Sequence, residues 1–314
     1  MSGTAMTPWR FVRDGYRDVR TVARGWRWGV GRRALVPRSA EPFVPPRSTK
    51  VFPTRWARGP VARAVREVAL GVGMNALLRS QVSVRAHGLD VLDRIDGPVV
   101  FVANHSSHVD TPLILNTLPP RWRRRTAVAA AADYFFDTWW RAAGSAVLFN
   151  TFPIERRGGT LSNTPGYLLK DGWSIVVYPE GTRSRDGWTQ PFKLGAAFMA
   201  IGAGVPVVPL ALRGTFNAMP HEQGWPSPGR PPVSVRYGEP LRPREGEGPR
   251  ELGRRIEAAM AALLEEDSGD WYGSRLRAAG GGSAPTSGPD VARWRRVWQT
   301  SRPPQRRARR TVWR

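Results

Sequence analysis

Hydrophobic and polar positions change their spacing along this chain, and the changes mark its elements. From Val82 to about Asp267, short apolar runs of strand length alternate with stretches of helical period. Strands are predicted at Val82–Ala86, Pro98–Ala103, Ala146–Ile154, Ser174–Tyr178, Val205–Leu212 and Val233–Tyr237. Helices are predicted at Pro112–Leu118, Tyr134–Ala143, Asn163–Asp171, Phe192–Ala203 and Pro249–Asp267. This alternation predicts an α/β fold, a mixed and largely parallel sheet flanked by helices. Leu194 to Leu212 is uncharged and nominally long enough to span a bilayer. Gly195, Gly202, Gly204, Pro206 and Pro209 break it, so it reads as a helix, a turn and a buried strand.

The flanks follow other patterns. On a helical wheel of Trp9 to Arg27, Arg10, Arg13, Arg17, Arg20, Arg24 and Arg27 share one face. Phe11, Val12, Tyr16, Val19, Val22, Ala23 and Trp26 share the opposite one. That is the pattern of a helix lying in a lipid interface, or of one docked on its own core. Gly15 and Gly25 each cost roughly 1 kcal/mol of helix stability, which favours formation only on a surface. Pro37 to Pro60 reads as a linker, and Val61 to Arg79 as a second helix with Val61, Val65, Val68 and Val72 on one face. The second half of that helix is apolar all round and needs burial in protein or lipid. Beyond Gly273, Gly-Gly-Gly-Ser and Pro-Thr-Ser-Gly-Pro segments predict disorder, and Val291 to Arg314 interleaves Trp294, Trp298 and Trp313 with arginines. The expected organisation is a basic amphipathic segment and linker at 1–60 and a membrane-associating helix at 61–80. A single α/β domain at 81–272 and a disordered Arg/Trp-rich tail at 273–314 complete it.

Composition narrows the chemistry. At 314 residues and 41% hydrophobic content, one domain with appendages fits better than two equal domains. The absence of cysteine excludes disulfides, thiolate metal sites and Cys nucleophiles, and is compatible with a reducing cytosolic setting. The net charge of +23 is concentrated at the ends: residues 1–60 hold 13 basic and 3 acidic side chains, residues 275–314 hold 11 and 1. Such ends seek anionic lipid or nucleic acid. Only Lys50, Lys170 and Lys193 are lysines, a bias that codon usage can explain although the clustering it cannot. Met1 to Val30 has no continuous apolar segment, so no secretory signal is expected, and the protein is expected to touch membranes without crossing them.

Two stretches carry the chemistry. Asn104-His105 follows a predicted strand, and Asp110-Thr111-Pro112 reads as a helix start. His105 is thus placed at the carboxyl end of a strand, where α/β sheets hold their sites. A turn through Ser106-Ser107-His108 would let Asp110 meet His105, fix its tautomer and leave the other nitrogen as a general base. A structural histidine beside a helix-capping aspartate has the same spacing. Tyr178-Pro-Glu-Gly-Thr-Arg-Ser184 follows another strand: Gly181 permits a turn, Arg183 offers a planar fork for a phosphate, and Thr182 and Ser184 add hydroxyls. Glu180 can hold an arginine or orient His105, and the whole stretch can also be an ordinary surface turn. Phe152-Pro-Ile-Glu-Arg-Arg157 ends a third strand and can aim Arg156 or Arg157 at the same pocket. His87, His108 and His221 read as structural or solvated. Phe135, Phe136, Trp139 and Trp140 can line an apolar tunnel, or form a core or membrane-facing stripe. No metal site and no cofactor are predicted.

Taken in order, these stretches resemble the glycerolipid acyltransferase family, which includes the 1-acylglycerol-3-phosphate acyltransferases. Asn104-His105-Ser-Ser-His-Val-Asp110 is similar to its His-four-residues-Asp motif, Phe152 to Arg156 to its second block, Pro179 to Arg183 to its third, and Val205 to Leu210 to its fourth. Phe192-Lys193-Leu-Gly195-Ala fits as well. The match covers roughly residues 82–240. The resemblance implies that 81–272 is an acyltransferase domain. In it, the acceptor hydroxyl attacks the thioester of acyl-CoA or an acyl carrier protein directly, with His105 as base and Asp110 orienting it. Arg156, Glu180, Gly181, Thr182 and Arg183 would then bind the substrate phosphate. The expected acceptor is 1-acylglycerol 3-phosphate, giving phosphatidic acid in phospholipid biosynthesis. The alternatives are glycerol 3-phosphate, another lysophospholipid and a lipid glycoside. An anionic membrane surface is the expected partner, nucleic acid is not, and the expected location is the cytoplasmic face of the membrane, peripheral or monotopic.

Overall fold

Strands that are apolar at every position need cover on both faces, and the observed sheet provides it. A computed structural model describes residues 54–131, 139–154, 163–220, 223–268, 271–280 and 286–301. The predicted amphipathic helix at Trp9 to Arg27, most of the linker, and the block around Arg156 lie outside these residues.

After a 3-10 turn at Arg55–Arg58, α1 (Pro60–Val68) runs through a π-helical stretch, Ala69–Met74, into α2 (Asn75–Gln81). Then come β1 (Ser83–His87), β2 (Val100–Ala103), α3 (Asp110–Thr117), α4 (Pro120–Arg123), β3 (Thr126–Ala131), α5 (Trp139–Phe149) and β4 (Thr151–Ile154). The second half holds α6 (Thr164–Lys170), β5 (Ser174–Val177), α7 (Gly195–Ala203), β6 (Val207–Arg213), α8 (Thr215–Ala218) and β7 (Pro232–Tyr237). Three helices close it: α9 (Pro249–Ser268), α10 (Trp271–Ala279) and α11 (Arg293–Ser301). The seven strands are ordered β1-β7-β6-β2-β5-β3-β4, all pairs parallel except β6 with β7. The expected mixed, largely parallel sheet flanked by helices is therefore what forms.

Along β2 the side chains alternate between two cores. Phe101 and Ala103 join Leu113, Ile114 and Leu70 on one face; Val100 and Val102 join Ala197, Ala200 and Leu252 on the other. β2 lies between β5 and β6, so the segment after it emerges at the middle of the sheet edge.

Three local expectations are corrected. β3 was not foreseen: Thr-Ala-Val-Ala-Ala-Ala has little intrinsic strand preference, and burial between β5 and β4 makes the strand. The run Ala146 to Phe149 is helical, not strand. The helix ends at Asn150, whose φ of 52° is the left-handed stop and whose side chain donates to the Thr126 carbonyl. The region beyond Gly273 is not wholly disordered: α10, part of α11 and its lead-in pack on the domain. Arg296 Nε lies 2.7 Å from Asp186 Oδ2, and Thr300 Oγ1 donates to the Asp186 carbonyl at 2.9 Å. Residues 302–314 lie outside the described chain.

The helix expected at 61–80 forms, with a π-helical middle. Arg66, buried, fixes it to the domain by donating to the carbonyls of Val147 and Ala146 at the end of α5, at 2.7 and 2.9 Å, and of Ala57 at 2.7 Å. Burial, with Arg58 nearby, lowers this guanidinium to about 10. On the outer face Val61, Val65, Val68 and Val72 are 50 to 76% exposed. Among the described residues no helix is long and apolar enough to cross a membrane.

Candidate active site

β2 and β5 run parallel, with Val102 paired to Val177, so their following segments emerge side by side. Asn104 locks the first: its side-chain amide donates to the Leu212 carbonyl and accepts the Leu212 N–H, at 2.9 and 2.8 Å. His105 comes next, and the intervening turn brings Asp110 to it. Asp110 Oδ2 lies 2.8 Å from His105 Nδ1 and accepts the N–H groups of Ser106 and Ser107, each at 2.8 Å. Asp110 is fully buried at the start of α3. A carboxylate accepting those two N–H bonds can only accept from the imidazole as well, so the proton sits on Nδ1. Nε2 is then the basic nitrogen, and it has no hydrogen-bond partner among the described residues. The ring keeps about 20% of its surface exposed.

The neighbouring serines are tied down too. Ser107 Oγ donates to the Met219 carbonyl at 2.7 Å, and Ser106 Oγ meets Thr215 Oγ1 at 2.8 Å. Tyr178, at the end of β5, stacks on the His105 ring with centroids 4.0 Å apart and an interplanar angle of 19°. Its hydroxyl pairs with Thr111 Oγ1 at 2.8 Å. Burial first, then the Asp110 charge, raises the phenol above its usual value, which keeps it a neutral wall for the imidazole.

The second motif grips the backbone of the first. Glu180 Oε1 accepts the His105 N–H at 2.7 Å, and the Ser184 N–H donates to the His105 carbonyl at 2.8 Å. Gly181, Thr182 and Arg183 are thereby carried to the flank of His105. Gly181 needs to be glycine: its φ is 71°, and a Cβ there would stand 2.8 Å from Lys193 Nζ. Lys193, which fitted the pattern only as a neighbour, thus brings a cation over the turn. Beside Pro179 and Lys193, a cavity of about 380 Å³ opens between α7 and α9, with Arg250 and Arg254 on its walls.

Glu180 departs from its expected place at a phosphate. It is 4% exposed, and both oxygens are occupied, Oε2 accepting the Gln190 N–H at 2.8 Å. A carboxyl so engaged holds two loops together. Burial raises it to about 8, against the downward pull of its bonds from Gln190 and His105. Tyr178 and the clasp between Arg296 and Asp186 were not found by sequence reasoning. The adjacency of Tyr178 to the Pro-Glu-Gly-Thr turn was the available signal for the first. Arg156 lies outside the described residues, as do Phe135 and Phe136.

Among the described residues no group of three or more His, Asp or Glu side chains is placed to hold a metal ion. The acyltransferase family model matches residues 83–213, the stretch that contains both motifs and the strands that carry them. A 1-acyl-sn-glycerol-3-phosphate acyltransferase from the chloroplast of Brassica napus is 33% identical over 135 residues, 42% of this chain and 38% of that protein. The enzyme of that name from Escherichia coli K12 is 30% identical over 122 residues, 38% of this chain and 49% of its own. The chain thus matches under half the length of these curated relatives. The crystal structure of the Thermotoga maritima 1-acyl-sn-glycerophosphate acyltransferase PlsC superposes with a TM-score of 0.51 at 27% identity, covering 67% of this chain and 82% of that one. The similarity to these acyltransferases therefore extends to the fold as well as the sequence pattern.

Proposed function

We propose that the protein is an O-acyltransferase that moves a fatty acyl group from acyl-CoA or acyl carrier protein to the free hydroxyl of 1-acylglycerol 3-phosphate. The observation that carries this reading is His105 Nδ1 2.8 Å from buried Asp110, with Nε2 open. Nε2 takes the proton of the acceptor hydroxyl while its oxygen attacks the thioester carbonyl carbon. The tetrahedral intermediate collapses by breaking the C–S bond, and the departing thiolate takes the proton back from the imidazolium. Asp110 stabilises that imidazolium, and no acyl-enzyme is required. General-base transfer of this kind contributes about 10²–10⁴-fold, and alignment of the two bound reactants adds to it. Gly181, Thr182 and Arg183, beside His105, would receive the acceptor phosphate, together with Arg156.

The exposed valine face of α1 supports a helix at 61–80 that lies on a membrane. The basic segment 1–60 and the tail 273–314 would add attraction to anionic lipid. Together they make the acyltransferase domain, 81–272, peripheral at a cytoplasmic membrane face. The relatives' names favour 1-acylglycerol 3-phosphate as acceptor. Chromatography of the lipid products from a panel of acceptors tests it. Phosphatidic acid formed from 1-acylglycerol 3-phosphate is the expected result. Transfer solely to glycerol 3-phosphate, another lysophospholipid or a lipid glycoside would keep the chemistry and replace the acceptor.

A further inference from the structure

Where β5 begins, at the end away from Tyr178, a second cavity is walled by arginines. It has a volume of about 650 Å³ and takes Arg55 and Arg58 from the 3-10 turn, Arg63 from α1, and Arg125 from the residue before β3. Asp171 is the single carboxylate on its wall among the described residues. Trp173 and Tyr178 bracket the strand, so five residues, on the order of 16 Å of extended chain, separate this cavity from the His105 ring.

Elsewhere the buried and half-buried arginines have acceptors: Arg66 its three carbonyls, Arg123 Glu67, Arg255 Glu247, Arg296 Asp186. Here the pattern changes. The half-buried side chain of Arg63 and the exposed one of Arg55 make no hydrogen bond or ion pair with any described residue, and Arg58 Nε is buried without an acceptor. The other two forks are held in place. Arg58 donates to the Thr54 carbonyl and hydroxyl at 3.1 and 3.3 Å, and Arg125 lies 5.5 Å over the Trp173 ring. Burial and then the charge of Arg55 hold the Arg58 guanidinium below its usual range. Gathering four cations around one hollow is unfavourable until an anion enters it, and guanidinium forks match phosphate oxygens better than any other side chain does. The exposed ring of Tyr167 adds an aromatic face to the wall.

We propose that this cavity binds a multiply charged phosphate group, separate from the acceptor-phosphate site beside His105. Two sources share that chemistry: the phosphorylated end of a free nucleotide, and the phosphomonoester headgroup of a lipid. The proposal stands whether or not His105 is a general base.

The test compares the full chain with a double variant, Arg55→Gln with Arg63→Gln. Neither side chain has a hydrogen-bond or ion-pair partner to lose among the described residues, and equal thermal unfolding midpoints would verify that the variant is folded. Calorimetric titration with inorganic pyrophosphate is expected to show saturable binding in the wild type, weakened at least about tenfold in the double variant. Arg183→Gln is expected to keep it, which separates this cavity from the acceptor site. Competition by adenosine 3',5'-bisphosphate would assign a nucleotide. Sedimentation with phosphatidylcholine vesicles only when they contain phosphatidate, lost in the double variant, would assign a lipid headgroup. Equal pyrophosphate binding in wild type and double variant, or none in either, would overturn the proposal.

Discussion

Glu180 Oε1 accepts the backbone N–H of His105 at 2.7 Å, and the same carboxyl reaches Gln190 with its other oxygen. Through this one buried side chain the loop after β5 fixes the loop after β2, and with it the ring that faces the open site. The two motifs of the sequence are in this sense a single structural unit. The segment from Glu180 to Ser184 is tied to the His105 backbone at both ends.

That arrangement has a pH signature. The Glu180 carboxyl is raised from 4.5 to about 8, so the folded protein holds its proton more tightly than the unfolded chain. The stabilising effect is complete below about 4.5 and is lost as pH rises through about 8. Urea unfolding between about pH 5 and pH 9 should show wild-type stability falling with pH relative to Glu180→Gln, with a slope of at most ~1.4 kcal/mol per pH unit. Parallel profiles would contradict the assignment.

Asp110→Asn replaces an oxygen that accepts three N–H groups. An amide nitrogen in that place would face donors, and an amide oxygen there would no longer carry the charge that stabilises imidazolium. Turnover is expected to fall by about 10²-fold or more with little change in KM. A variant that keeps turnover and loses only acceptor affinity would put Asp110 outside the proton transfer.

The valine face of α1 can be tested without touching the core. Val65 and Val68 are 50 and 66% exposed, so Val65→Glu with Val68→Glu should leave the unfolding midpoint near that of the wild type. High salt screens the basic ends and isolates the apolar contribution to vesicle binding. Under those conditions the double variant should lose vesicle cosedimentation that the wild type retains. Undiminished cosedimentation would remove the helix from the membrane contact.

Arg66→Met should loosen α1 from α5, because the carbonyls of Ala146, Val147 and Ala57 lose their donor. A loss of at least ~2 kcal/mol in denaturant unfolding is expected. An unchanged midpoint would mean that Leu70 and its neighbours alone hold the helix.

Much of this was legible in the residues. β2, β5 and β6 are apolar at nearly every position because both faces are covered, so short hydrophobic runs located them. The contact between His105 and Asp110 followed from a five-residue spacing that needs a turn, and two serines supplied it. What escaped was decided by partners far away in sequence. Alanine-rich β3 is a strand because its neighbours make it one. The segment leading into α11 is ordered because Arg296 finds Asp186 110 residues earlier, and because Trp188 packs against Gly288. Glu180 reads from sequence as able to hold an arginine or orient His105, and the fold shows it gripping the His105 backbone N–H and the Gln190 N–H instead of an arginine.

The most direct test of the account is thiol release from palmitoyl-CoA in detergent with 1-acylglycerol 3-phosphate, for the wild type and for His105→Ala. Acceptor-dependent release by the wild type is expected, with a loss of about 10²-fold or more in the variant and an unchanged unfolding midpoint. Release at near wild-type rate by a folded His105→Ala protein would contradict it.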